Sequence, residues 1–138
     1  MGRQRKWDAE SYENVERNQI NYRPTSVQLA LFEQAKRVNL NANQIIDIVF
    51  LSNSLTQVLK QNLSIGRTKR QDVTGDIIPF QPYNDCRILV QWMTEENISV
   101  SQVINDLLDI NMTALLQMID KRKRALDKFS IIVKSFVS

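Results

Sequence analysis

The chain states one pattern twice. With Leu31 set on Leu89, an offset of 58 residues, Ile20-Asn21-Tyr22-Arg23-Pro24 falls on Ile78-Pro79-Phe80-Gln81-Pro82. The same offset places Asn39-Leu40-Asn41-Ala42-Asn43-Gln44-Ile45-Ile46-Asp47 on Asn97-Ile98-Ser99-Val100-Ser101-Gln102-Val103-Ile104-Asn105. Apolar positions meet apolar positions and turn residues meet turn residues, so a supersecondary unit is duplicated. This constrains the fold more than composition does, because one such unit cannot bury its apolar faces alone and two can.

Each copy begins with a strand signal. Asn18 to Arg23 alternate polar and apolar with an aromatic and a β-branched member, and Pro24 ends the run. Ile20 and Tyr22 are expected to face inward, leaving Gln19, Asn21 and Arg23 together on the outer face. A helix is expected from about Ser26 to Val38, with Leu31, Ala35 and Val38 recurring on one side, then a turn at Asn39-Leu40-Asn41. Asn41 with Gln44, and Ser99 with Gln102, have capping-box spacing, in which each side chain satisfies an orphan backbone N–H of a helix start. The first of these helices is expected over Ala42 to Lys60, with Ile45, Ile46, Val49, Phe50 and Leu55 inward. In the second copy the strand is Ile77 to Gln81 and the helices are about Asn84 to Glu96 and Val100 onward. That last helix is expected to reach Lys128, with a further apolar piece over Ile131 to Val133 and Phe136-Val137.

Charge is modest overall, 18 Lys and Arg against 15 Asp and Glu, but the cations cluster. Arg3, Arg5 and Lys6 lie near the start, Arg67, Lys69 and Arg70 between the copies, and Lys121 to Arg124 near the end. Clustered cations are a footprint for a polyanion, although charge runs also serve solubility. No apolar run approaches the ~20 residues of a membrane span, and no apolar stretch follows the basic start as in a secretory signal. Cys86 is the only cysteine, which excludes an intrachain disulfide and fits a reducing, cytoplasmic compartment. Cys86 lies near a helix start, but a small buried residue is its expected role. Glu10, Glu13 and Glu16 share a spacing of three. With no histidine in the chain, a metal site is not expected there. No nucleophile–base spacing and no Gly-rich phosphate loop is present, so neither an enzyme nor a cofactor is expected.

The duplicated strand–helix–turn–helix resembles the ribbon-helix-helix family of DNA-binding proteins, the Arc and MetJ type, over residues 19–51 and 77–109. Gln19-Ile20-Asn21-Tyr22-Arg23 looks like that family's strand, where polar readers alternate with apolar residues. The family is usually dimeric. A chain carrying both halves is similar to the tandem members of conjugative plasmids that assist a relaxase at an origin of transfer.

The resemblance implies a mainly α fold with a two-stranded β-ribbon, a tandem pseudo-dimer with extended C-terminal helices. It also implies double-stranded DNA as partner, at the nucleoid or a plasmid, in transcriptional repression or transfer. Gln19, Asn21, Arg23 and Gln81 would read base edges, where Arg donates twice to guanine and Asn or Gln bridges adenine. The helix starts at Ala42 and Asn43 and at Val100 and Ser101 would hold phosphates, with Arg67, Lys69, Arg70, Arg3, Arg5 and Lys6 adding salt-sensitive attraction.

The second strand departs from the pattern: Ile77 and Pro79 take outward positions, leaving Gln81 as its one reader. Either the two strands pair within a chain, or first copies pair between chains. The expected layout is an arm over 1–17, units over 18–61 and 77–112 joined by a basic linker over 62–76, and a C-terminal extension over 113–138. A rival reading makes the duplication an oligomerisation or protein-interaction scaffold, including toxin binding by an antitoxin. Its partner would be a second copy, a relaxase or another protein held by the C-terminal extension, and its DNA affinity would be non-specific.

Overall fold

The computed structural model describes residues 20–65, 73–82 and 84–137. The described residues form a mainly helical protein with one small two-stranded antiparallel sheet. In chain order these are β1 (Ile20–Tyr22), α1 (Ser26–Arg37), α2 (Ala42–Phe50), α3 (Leu55–Ile65), β2 (Ile78–Phe80), α4 (Asn84–Glu95), α5 (Val100–Ile110) and α6 (Met112–Val137). The Arg67 to Arg70 cluster, Gln19 and the N-terminal arm with Arg3, Arg5 and Lys6 lie outside the described residues.

The strands pair within one chain. Ile20 opposes Phe80, Asn21 opposes Pro79 and Tyr22 opposes Ile78. This register respects the repeat, because Asn21 meets its own equivalent, Pro79, and Ile20 meets Phe80, the equivalent of Tyr22. Antiparallel pairs alternate between hydrogen-bonded and non-bonded types, so a proline at the middle pair is accommodated when the outer pairs carry the exchange. Alternation along the strands is as expected: Tyr22 and Phe80 are fully buried, whereas Asn21 and Pro79 between their neighbours are exposed.

Beneath the ribbon lies a continuous apolar core. Leu31, Phe32, Ala35 and Val38 enter from α1, Ile45, Ile46, Val49 and Phe50 from α2, and Val103, Ile104, Leu107 and Leu108 from α5. Phe80 stacks on Phe50 with ring centroids 5.7 Å apart. Helix α2 packs on α5, and each also packs against the strand of the other copy, α2 on β2 and α5 on β1. Asn39 and Asn97, at equivalent places in the two turns, both adopt positive φ, 64° and 60°. Asparagine tolerates this left-handed conformation better than most residues, which suits both turns.

Two helices end earlier than their apolar pattern suggests. The expected helix from Ala42 to Lys60 stops at Phe50 and restarts as α3 at Leu55. Ser52-Asn53-Ser54 breaks it: such short polar side chains compete for the backbone, and the Ser52 hydroxyl donates to the Val49 carbonyl at 2.7 Å. Helix α3 then runs to Ile65, inside the stretch read as linker. The long final helix is likewise two. Asn111 divides α5 from α6, its amide donating to Leu107 O at 2.8 Å and to Ser52 Oγ at 3.3 Å. Beyond it, α6 is unbroken through Ile131 to Val133 and on to Val137.

One capping box is complete and the other half-formed. Asn41 and Gln44 exchange both bonds. Ser99 accepts from Gln102 N–H, but the Gln102 side chain turns to Asp106 instead of reaching back, at 3.0 Å. A further box, Thr25 with Gln28, opens α1.

Candidate nucleic-acid interface

The outer face of the ribbon is a narrow strip with polar and apolar ends. From β1 and the residue after it come Asn21 and Arg23, both exposed. Neither has a side-chain hydrogen bond or ion pair among the described residues, so both side chains are available to a ligand. From β2 and its flanks come Ile77, Pro79 and Gln81. Ile77 is 47% exposed and Pro79 is exposed, whereas Gln81 is half-buried. Gln19 falls outside the described residues. Three of the four expected base readers thus lie at the ribbon, and the two of β1 are the better presented.

The strip is held from below by a polar joint. Tyr22 is fully buried, and its hydroxyl donates to Gln28 Oε1, which also accepts from Thr25 N–H at 3.1 Å. The Gln28 amide nitrogen in turn donates to Asn105 Oδ1 at 2.9 Å and Asp109 Oδ1 at 3.0 Å, both on α5. Gln28 is fully buried, and the bonds it makes offset the cost of taking its amide out of water.

The repeat-equivalent joint has different chemistry. Cys86 stands where the first copy has Gln28, and Asp47 where the second has Asn105. The Cys86 thiol and the Asn43 amide both bond the Asp47 carboxylate. Burial raises the Asp47 pKa above the ordinary carboxylate value, and the bonds from Cys86 and Asn43 oppose that rise.

The start of α2 lies at the end of β2, and α5, whose start is its repeat equivalent, packs against β1. Asn41 caps the amide of Gln44 at 2.8 Å, leaving those of Ala42 and Asn43 as the leading N–H groups of α2. Ser99 does the same for α5, leaving those of Val100 and Ser101. The Asn43 side chain is committed elsewhere. Its Oδ1 accepts the Gln81 backbone N–H at 2.7 Å and its Nδ2 donates to Asp47 Oδ2 at 3.3 Å. Asn43 therefore ties the end of β2 to the start of α2, joining two expected site residues in one contact. Only the Asn43 backbone could meet a phosphate without breaking that tie.

Sequence reasoning missed Gln28, although Thr25-x-x-Gln28 carries the same signal that was recognised at Asn41 and Ser99. It also missed Asn62, which joins α3 to α5 through Asp106 Oδ2 at 3.1 Å. Arg122 belongs to the Lys121 to Arg124 cluster, for which contact with a polyanion and a solvated helix face are both expected. Its Nε donates to the Val38 carbonyl at 2.7 Å and so binds the C-terminal end of α1. Among the described residues, no three His, Cys, Asp or Glu come together as a metal site, and no helix is long and apolar enough to cross a membrane. No family model, curated protein or solved structure matches the chain.

Proposed function

We propose that this chain binds double-stranded DNA sequence-specifically, laying its two-stranded ribbon into the major groove in the manner of a single-chain ribbon-helix-helix protein. The observation that carries this is the intrachain pairing of β1 with β2, which leaves Asn21 and Arg23 exposed and unengaged on the face opposite Tyr22 and Phe80. A two-stranded ribbon fits the major groove of B-DNA. The leading amides of α2, at the end of β2, and by the repeat those of α5 suit phosphates flanking the ribbon.

The ribbon offers two unlike half-surfaces. Arg23 and Asn21 on the β1 side can read guanine and adenine edges. On the β2 side Ile77 and Pro79 offer the kind of apolar contact that a thymine methyl accepts. The favoured target of one ribbon is thus a non-palindromic duplex, and the role proposed for it is that of a repressor or of an accessory protein at a transfer origin.

Fluorescence anisotropy over a salt series, with a duplex selected from a random pool and its shuffled control, tests the reading. Asn21→Ala/Arg23→Ala should lose about 1–3 kcal/mol of discrimination per bidentate contact removed. It should keep most of the salt-sensitive attraction to any duplex. A folded double variant that discriminates as well as the parent refutes base reading by these residues. The scaffold reading rests on a different surface, the exposed half of α6, and can hold alongside DNA binding.

A further inference from the structure

Helix α6 carries a heptad seam that begins inside the body and leaves it. Leu115 and Ile119 are buried, 3% and 5% exposed. At alternating steps of four and three the same stripe continues through Arg122, which is tied to Val38, then Leu126, Phe129, Val133 and Phe136. Every residue from Asp120 to Val137 is exposed, with Phe129 at 64% and Phe136 at 85%. A seam at heptad spacing is what one helix presents to another, and the wider stripe that includes Ile132 leaves much apolar surface in water.

We propose that this outer half of α6 pairs with the same segment of a second copy of the chain, antiparallel and centred on Ile131. In that register Leu126 meets Phe136 of the other copy and Phe129 meets its Val133, so each layer joins a large aromatic to a smaller aliphatic residue. The flanking positions bring Ile132 against Ile132 and Ser130 against Ser130, with no like charges opposed. The pairing spans residues 125–137, about 20 Å of helix at 1.5 Å per residue.

Three features favour this occupant and this direction. First, α1 lies on the seam face at the inner end of α6. A parallel partner would bring two copies of α1 into the same space, whereas an antiparallel one sends the bodies to opposite ends. Second, the outer end of each helix, whose last carbonyls carry partial negative charge, is brought to the Lys121 to Arg124 cluster of the other copy. Third, a groove between α1 and α6, lined by Val38, Ile119 and Leu126 with Arg37 and Lys123 among its polar residues, opens beside Leu126. That places it where Phe136 of the second copy arrives.

Sedimentation equilibrium of the full chain should give a dimer. Phe129→Glu/Val133→Glu should sediment as a monomer with unchanged helical circular dichroism apart from the tail. For direction, Leu126→Cys and Phe136→Cys chains, mixed and oxidised, should cross-link to each other in preference to themselves; Cys86 is buried and does not compete. A chain that is monomeric throughout overturns the proposal, as does a dimer that survives the glutamate substitutions. Preferential self-cross-linking overturns the antiparallel register. A monomer that pellets with phosphatidylserine-containing vesicles overturns it in favour of a membrane surface.

Discussion

Replacing Gln28 by leucine, a residue of similar volume, tests whether the buried joint beneath the ribbon holds the two copies together. Gln28 is fully buried and meets partners on three elements: Tyr22 of β1, Thr25 at the cap of α1, and Asn105 and Asp109 of α5. The partners do not suffer equally when it is lost. Asp109 is exposed, so water replaces the amide there at little cost. The Tyr22 hydroxyl is fully buried, and losing its bond to Gln28 costs about 0.5–1.5 kcal/mol net. Thr25 and Asn105 are half-buried, and each loses a bond with a net value of about 0.5–1.5 kcal/mol. Leucine regains some apolar burial, so the expected net loss is about 1–3 kcal/mol.

Urea unfolding at fixed protein concentration measures it, read as a lower midpoint at unchanged slope. Tyr22→Phe alone should cost about 1 kcal/mol, because Gln28 Oε1 keeps the Thr25 amide. The double variant removes both ends of the Tyr22–Gln28 bond and should cost about 1–2 kcal/mol less than the two single losses together. Refutation is equally concrete. A Gln28→Leu chain within about 0.5 kcal/mol of the parent, or a strictly additive double variant, would mean that the joint carries no net stability.

Two further perturbations address the same core. Asp47→Asn puts at the Cys86 joint the residue that Asn105 already supplies at the Gln28 joint. The Asp47 pKa is raised in the folded state, so its contribution favours folding below the ordinary carboxylate pKa and is lost as pH rises through the folded value. The variant should therefore be more stable than the parent at neutral pH, with the advantage gone in acid near or below the ordinary value of about 3.9. Thermal melts across that range check it, and an advantage that is constant with pH would exclude titration of Asp47 as the cause. Phe80→Ala removes the ring stacked on Phe50 at zero exposure and should cost about 3–5 kcal/mol in urea. A loss under 1 kcal/mol, below the range for aromatic truncation, would mean that the ribbon does not seal the core.

The joints also explain how a duplicated chain becomes directional. Both copies offer the same apolar pattern, yet one buries Gln28 against Asn105 and the other places Cys86 against Asp47. The outer face follows suit, with Asn21 and Arg23 on one side and Ile77 and Pro79 on the other. Two identical subunits present two identical half-surfaces; a fused pair can let them diverge. In this chain the divergence reaches both the buried joint and the solvent face.

What the amino-acid order determined alone is what repeats locally. The period-two stretches at Ile20 to Tyr22 and Ile78 to Phe80, the helix starts after Asn41 and Ser99, and the inward stripes of α1, α2 and α5 all follow from spacing within a few residues. The outward placement of Asn21 and Arg23 follows from the same alternation. Tertiary structure decided the rest. Which strand pairs with which depends on a contact nearly sixty residues apart, and alternation is silent on partners. The breaks at Ser52 and Asn111 depend on where backbone bonds go once two helices meet, since the apolar pattern runs on past both. The alternation and caps do not disclose that the Asn43 side chain ties the end of β2 to the start of α2, or that Arg122, in a cluster open to DNA contact or solvent, bonds the end of α1. Periodicity states which face a residue takes; only packing supplies the polar partner that waits there.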